Sequence, residues 1–366
     1  MKKILSLLAG LFITGTSISQ NIATDNKKIS ELDQTVDKAV TKFLADKNNA
    51  GVSIAVISDG RVNFYNYGEA EKKSGKLPGQ ATIYEIGSIS KTFTGILLSK
   101  AVEDKKIALD EDIRNYLPQS CAGLSYNGLP ILVSQLTNHT SGLPRLASNL
   151  SEQPNFNELN PYKNYDKNLL IAYLSTVKII NRPGTFQEYS NTGTALLGMI
   201  IEKAYGKTYD QLVKEFITGP LKMNSTFINA SHDKVSLMAK GYYQGNVNPY
   251  WDFSDLPAAG ALKSTATDLS LYLKANIDES LPYIKNSHTV TFEQGQRATA
   301  YNWFIDTLKT GDKLVWHNGG TYGFSSFIGY LKDKKCGVVV LANSFSEGGP
   351  DNIGISILKA LSEVKQ

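Results

Sequence analysis

Cysteine is almost missing from this chain: Cys121 and Cys336 are the only two in 366 residues. Standing 215 positions apart, they give no cross-link framework, and two buried thiols are expected rather than a bridge. Histidine is nearly as scarce, and His139, His232, His288 and His317 never fall at the spacing of metal ligands. Neither a metal nor another cofactor is expected. A Gly-rich phosphate loop and a G-x-S-x-G nucleophile elbow are both lacking, which removes two common routes to nucleotide binding and ester hydrolysis.

A run of apolar residues long enough to cross a bilayer is lacking too. The apolar stretch from Ile4 to Ile13 follows Lys2 and Lys3 and leads to Ser17 and Ser19, the pattern of a cleaved secretory leader over residues 1–19. The expected mature chain, 20–366, is periplasmic or secreted, with no stable membrane anchor. Removing the two leader lysines from 38 basic residues leaves 36 against 34 acidic, a net +2 that gives no electrostatic case for nucleic acid. With 42% hydrophobic and 20% charged residues, the composition excludes a disordered chain and fits a single globular domain, expected as a monomer.

What is present is a β-rich beginning and end around a helical middle. Ile29, Leu32, Val36, Val40, Phe43 and Leu44 recur at helical spacing, and two β-rich runs follow around Asp59-Gly60, a hairpin signal because both turn residues need positive φ. From about Asp110 the text is helical and punctuated by Pro and Gly. Strand signals return after about Tyr301 in "LVWHNG", "SSFIGYL" and "CGVVVLANS", and an amphipathic helix closes the chain. This predicts an α+β fold: one antiparallel sheet built from both chain ends (about 25–109 and 300–366), flanked by helices, with a mostly helical insertion over about 110–299. A cleft between the two parts is the natural place for a site.

Nucleophilic catalysis is the chemistry left. Ser88-Ile89-Ser90-Lys91 places a hydroxyl and an amine on one helix face, where a partly desolvated lysine can take the serine proton. The same pattern at Ser175, Ser231, Ser356 and Ser362 shows how cheap it is, and an N-cap serine with a solvated lysine satisfies it equally. Only Ser88 stands after a glycine at the head of a long apolar helix. Tyr189-Ser190-Asn191 lies where a Pro-Gly loop runs into another apolar helix; Tyr162-Lys163-Asn164 repeats the spacing without that context. Beside lysine ammonium groups the Tyr189 phenolate would be favoured, allowing it to shuttle a proton.

These two boxes, followed by a third on a late strand, resemble the penicillin-recognising serine hydrolases: class C β-lactamases, D-alanyl-D-alanine carboxypeptidases and related esterases. The resemblance extends over "LTNHTSGLP", "YSNTGTALLGMIIEKAYGKTYDQLVKEFITGPLKM", "PAAGALKSTATDL" and "HNGGTYGFSS". In that family the third box is Lys-Thr-Gly or His-x-Gly. Lys309-Thr310-Gly311 matches the text, yet reads as a turn between strands; His317-Asn318-Gly319 follows Leu314-Val315-Trp316 and is taken as the box.

The resemblance implies Ser88 as nucleophile and Lys91 with Tyr189 as proton carriers. It implies Asn191 positioning substrate and lysine, and His317 orienting a substrate carboxylate or polarising Tyr189. It implies backbone N–H groups of Ser88 and Gly320 as an oxyanion hole, with Gly319 and Gly320 letting substrate approach the strand. His139 is expected to support the cleft rather than react. The implied substrates are β-lactams, peptidoglycan stem peptides ending in D-Ala-D-Ala, or small esters; a penicillin- or muropeptide-binding sensor without turnover is the non-enzymatic alternative. One departure is His317 where class C β-lactamases carry lysine, which removes a permanent charge near a substrate carboxylate.

Overall fold

A computed structural model describes residues 22–363, so the expected leader lies outside the described residues. Both chain ends build one eight-stranded antiparallel sheet. In spatial order its strands are Arg61–Gly68, Gly51–Ser58, Cys336–Ala342, Ser325–Leu331, Lys313–Gly320, Phe304–Thr307, Arg297–Thr299 and Phe292–Gln294. The hairpin at Asp59-Gly60 forms as read, with φ of 49° and 73°. The first strand pairs with the last, Val52 opposite Ala342 through Ile57 opposite Gly337.

That register sorts side chains by the two-residue period of a strand. Val52, Ile54, Val56, Val338, Val340 and Ala342 face one layer, made by the helices Glu31–Leu44 and Gly349–Glu363. Ala55, Ile57, Val339 and Leu341 face the other, which holds the helices Ser90–Glu103, Asn191–Tyr205 and Ala266–Asp278. Because both faces are covered, these strands read as continuous apolar runs rather than alternating ones. The helix Ser90–Glu103 is buried on nearly every side, from Ser90 to Ser99 without interruption, which accounts for its lack of a polar face.

The sheet resumes earlier than the strand signals suggested. Phe292–Gln294 and Arg297–Thr299 form a hairpin at the sheet's far edge, so the helical insertion ends before residue 300. Most of their residues are exposed or partly exposed; an edge strand facing water needs no apolar alternation, and "FEQGQRAT" therefore reads as loop. Cys121 and Cys336 are both free and buried, in separate cores, as expected. No helix among the described residues is long and apolar enough to cross a membrane.

Gly354 in the closing helix tests how tightly the outer layer packs. An added Cβ would sit 2.3 Å from a ring carbon of buried Phe327, a clash that overpacking data place at about 1–3 kcal/mol. Removing a helical glycine returns only about 1 kcal/mol. Gly354→Ala is expected to lower the urea midpoint; an unchanged or raised midpoint contradicts this packing.

Candidate active site

Ser88 sits in the short 3₁₀ turn Gly87–Ile89, which feeds directly into the helix Ser90–Glu103. Gly87 has a φ of 50°, and an added Cβ there would meet the Gly320 nitrogen at 2.5 Å. The Ser88 turn and the third-box strand thus touch through backbone, and side chains at the contact would separate them. Gly319 has the same origin: its Cβ would lie 2.0 Å from the Ile86 carbonyl oxygen. Close approach by substrate was expected to require that glycine; approach by the chain's own backbone already does.

Along Lys313–Gly320 the neighbouring strand Phe304–Thr307 pairs only from Lys313 to Trp316. His317 to Gly320 therefore form a local sheet edge, with backbone groups left for other partners on that side. Alternation turns Asn318 to the opposite face, where its amide donates to Asp351 at 2.7 Å. Lys309, the rejected lysine, is exposed in the turn before the strand.

Lys91 is 0% exposed, and its Nζ donates to Ser88 Oγ at 3.0 Å and to the Ala259 carbonyl at 2.5 Å. No carboxylate pairs with it among the described residues. Burial, reinforced by the positive charge of Arg145, holds its amine well below the ordinary lysine value. A neutral amine has a lone pair free to accept the serine proton.

Tyr189 ends the loop before Ser190, the N-cap of Asn191–Tyr205. Lys91 Nζ and the Arg145 guanidinium each lie 4.9 Å from the Tyr189 ring centre, and the His139 ring lies 4.6 Å away. The phenolate expected from nearby ammonium charge is not favoured. Burial raises the Tyr189 phenol above its ordinary 10, outweighing the lowering effects of Ser88 and Arg145. Sequence reasoning counted the cation and missed the desolvation.

Three further placements differ from expectation. Asn191 does not hydrogen-bond Lys91; its Nδ2 donates to the Tyr162 hydroxyl at 2.9 Å, which brings into the site a tyrosine set aside with its own Y-x-N repeat. His317, expected at a substrate carboxylate or toward Tyr189, is 0% exposed, and its ring lies 6.2 Å from that of Tyr189. Burial lowers its imidazole to about 3, leaving it neutral, with Nδ1 2.6 Å from the Asn318 carbonyl. His139 supports the second box as expected, its Nδ1 accepting from the Ser190 N–H at 3.3 Å.

Sequence reasoning missed Arg145. Its backbone is fixed to the second box, its carbonyl accepting from Asn191 N at 3.0 Å, and its exposed guanidinium stands over Tyr189. With Tyr162, Asn191, Trp251, Gly320 and Tyr322 it lines a cleft of about 700 Å³, which reaches the Ser88 turn through Gly320. Its position directly after "LTNHTSGLP" was the available signal.

Comparison with known proteins points the same way. The β-lactamase family model matches residues 36–360. A β-lactamase of Pseudomonas fluorescens is 28% identical over 354 residues, 86% of this chain and 94% of that one. Among solved structures, a class C β-lactamase superposes with a TM-score of 0.80 at 26% identity, covering 93% of this chain and 99% of its own. The octameric penicillin-binding protein homologue from Pyrococcus abyssi gives 0.75 at 28% identity, covering 90% and 77%.

The buried histidines make stability depend on pH. His139, His288 and His317 are all held below the ordinary 6.5, chiefly by burial, with His288 at about 4. Below pH 6.5 the unfolded chain binds protons at these sites and the native chain does not, so stability falls as pH falls. Each group contributes up to about 1.4 kcal/mol per pH unit. Glu85, raised to about 7, acts in the opposite sense between its unfolded value of 4.5 and 7. Asp268 and Asp351, also raised by burial, act in the same sense as Glu85 but from a lower starting value of 3.8, and the urea midpoint is expected to drop between pH 6.5 and 4.5; a flat profile sinks this account.

Proposed function

The chain belongs to the β-lactamase family and is a serine hydrolase of that superfamily; on that premise we propose that it works through a Ser88 acyl-enzyme on β-lactams or D-Ala-D-Ala-type peptides. The observation that carries this reading is the buried, uncompensated Lys91 amine 3.0 Å from Ser88 Oγ. A serine hydroxyl needs a base within hydrogen-bond reach, and this is the one the fold supplies.

In the first step Ser88 Oγ attacks the substrate carbonyl and its proton passes to Lys91. The oxyanion lies against the N–H groups of Ser88 and Gly320, a pair brought together by the Gly87–Gly320 contact. The C–N bond then breaks while Tyr189, held as a phenol, gives its proton to the departing nitrogen, and the Lys91 ammonium restores it. Water completes the cycle by attacking the ester carbonyl, with the same groups reversing their roles. Arg145, rather than neutral His317, supplies the positive charge that attracts a substrate carboxylate. A monomer exported after loss of residues 1–19 belongs to the same proposal.

Intact-protein mass spectrometry with a chromogenic cephalosporin, run beside Ser88→Ala, tests it. Colour with a transient +cephalosporin adduct, both lost in Ser88→Ala, is the expected result for a β-lactamase, and a lasting adduct with little colour marks a penicillin-binding peptidase or sensor. Colour surviving in Ser88→Ala overturns the nucleophile; neither signal in the wild type leaves the esterase. Arg145→Ala is expected to raise KM for the cephalosporin about tenfold or more, the scale of a lost charge-assisted hydrogen bond. An unchanged KM removes Arg145 from substrate binding.

A further inference from the structure

Three residues before Ser88 stands an acid that the mechanism does not use. Glu85 is 3% exposed, on a two-residue strand paired with Lys263–Ser264. A buried carboxylate is costly unless its oxygens are satisfied, and here each oxygen accepts from a different wall of the cleft. Oε1 accepts the Trp251 backbone N–H at 2.6 Å, and Oε2 accepts the Thr321 hydroxyl at 2.8 Å. Thr321 directly follows Gly320, and both Trp251 and Thr321 line the cleft that reaches the Ser88 turn. The carboxylate therefore links the end of the third-box strand, the nucleophile turn and the aromatic wall.

Its charged partner does not take over this role. Lys263 Nζ is 4.0 Å from Oε1, the limit of an ion pair, and its nearer contacts are the carbonyls of Ile228 at 3.0 Å and Ala261 at 3.4 Å. The remaining groups that act on the pair are Tyr250, next to Trp251, and Asp252, whose charge acts on Lys263. The bond from Thr321 is short and directional, and it lies one residue from the Gly320 N–H.

We propose that Glu85 is a positioning residue for catalysis: its carboxylate fixes Thr321 and Trp251, and through Thr321 it sets the Gly320 N–H relative to Ser88. This rests on Ser88 as the nucleophile, not on any one substrate. Ionised, the group accepts from both walls. Protonated, the group keeps both partners only as neutral bonds, with the Thr321 hydroxyl turning its hydrogen away to accept the new O–H, and the charge-assisted hold on both walls is lost. Burial raises this acid from 4.5 to about 7, partly offset by Lys263, Thr321 and Trp251. The change of state thus falls within the working pH range.

The test is the rate at which a fluorophosphonate labels Ser88 from pH 5.5 to 8.5, alongside cephalosporin kcat and KM. The wild-type labelling rate and kcat are expected to rise severalfold or more through pH 7 with KM little changed. Glu85→Gln is expected to stay near the low-pH rate throughout. A Glu85→Gln protein that follows the wild-type profile in both rate and pH overturns the proposal. If Glu85→Gln does not fold, Thr321→Val decides: a severalfold fall in labelling supports it, and an unchanged rate refutes it. A wild type that labels with this pH dependence but does not open cephalosporin keeps the Glu85 proposal and defeats the β-lactam reading. No labelling of Ser88 at any pH counts against both.

Discussion

The site depends on one buried amine. An ammonium group inside a protein interior costs several kcal/mol unless a counter-charge or a full set of acceptors meets it. Lys91 has a serine hydroxyl and one carbonyl, no paired acid, and the positive Arg145 beyond. Those conditions favour the neutral amine over the ammonium and hold its pKa well below the ordinary lysine value. An apolar helix that looks excessive for a protein surface is what makes that environment, because Ser90 to Ser99 are buried within the inner helical layer. The burial that lowers the Lys91 amine is also what the proposed activation of Ser88 requires.

The second constraint is the contact between two backbones. Gly87 and Gly319 remove the Cβ atoms that would hold the nucleophile turn away from the third-box strand. The loss of strand pairing beyond Trp316 leaves that half of the strand with a free side. A covered edge or an alanine at 319 would leave every catalytic side chain in the sequence and still undo the geometry. The surrounding electrostatics follow from the same enclosure: His139 and His317 are held neutral, and the Tyr189 phenol keeps its proton.

Much of this was legible in the chain. The central strands were readable because burial on both faces makes them continuously apolar, and the Asp59-Gly60 turn because only certain residues adopt positive φ cheaply. Ser88 and Tyr189 stood out from chance repeats because each begins an apolar helix, and His317 from Lys309 because Lys309 falls in a turn between two strands while His317 follows the apolar Leu314-Val315-Trp316. Tyr162 was passed over because its spacing matched by accident and its contact is made from 29 residues away. Arg145 and Glu85 carry no pattern of their own; an arginine after a proline and a glutamate before an isoleucine are ordinary text.

The sequence by itself determined which segments become strands and helices, and which residue types stand at the head of each, because local periodicity, caps and turns depend on near neighbours. It also determined the family, since the three boxes keep their order. The charge state of each group was decided only by the tertiary structure. Desolvation depends on every element packed around a side chain; for Tyr189 it outweighs the charges that sequence reasoning can count, and for Lys91 it adds to the charge of Arg145. The same holds for Glu85, whose two partners come from segments 166 and 236 residues further along the chain and meet only when the fold is complete.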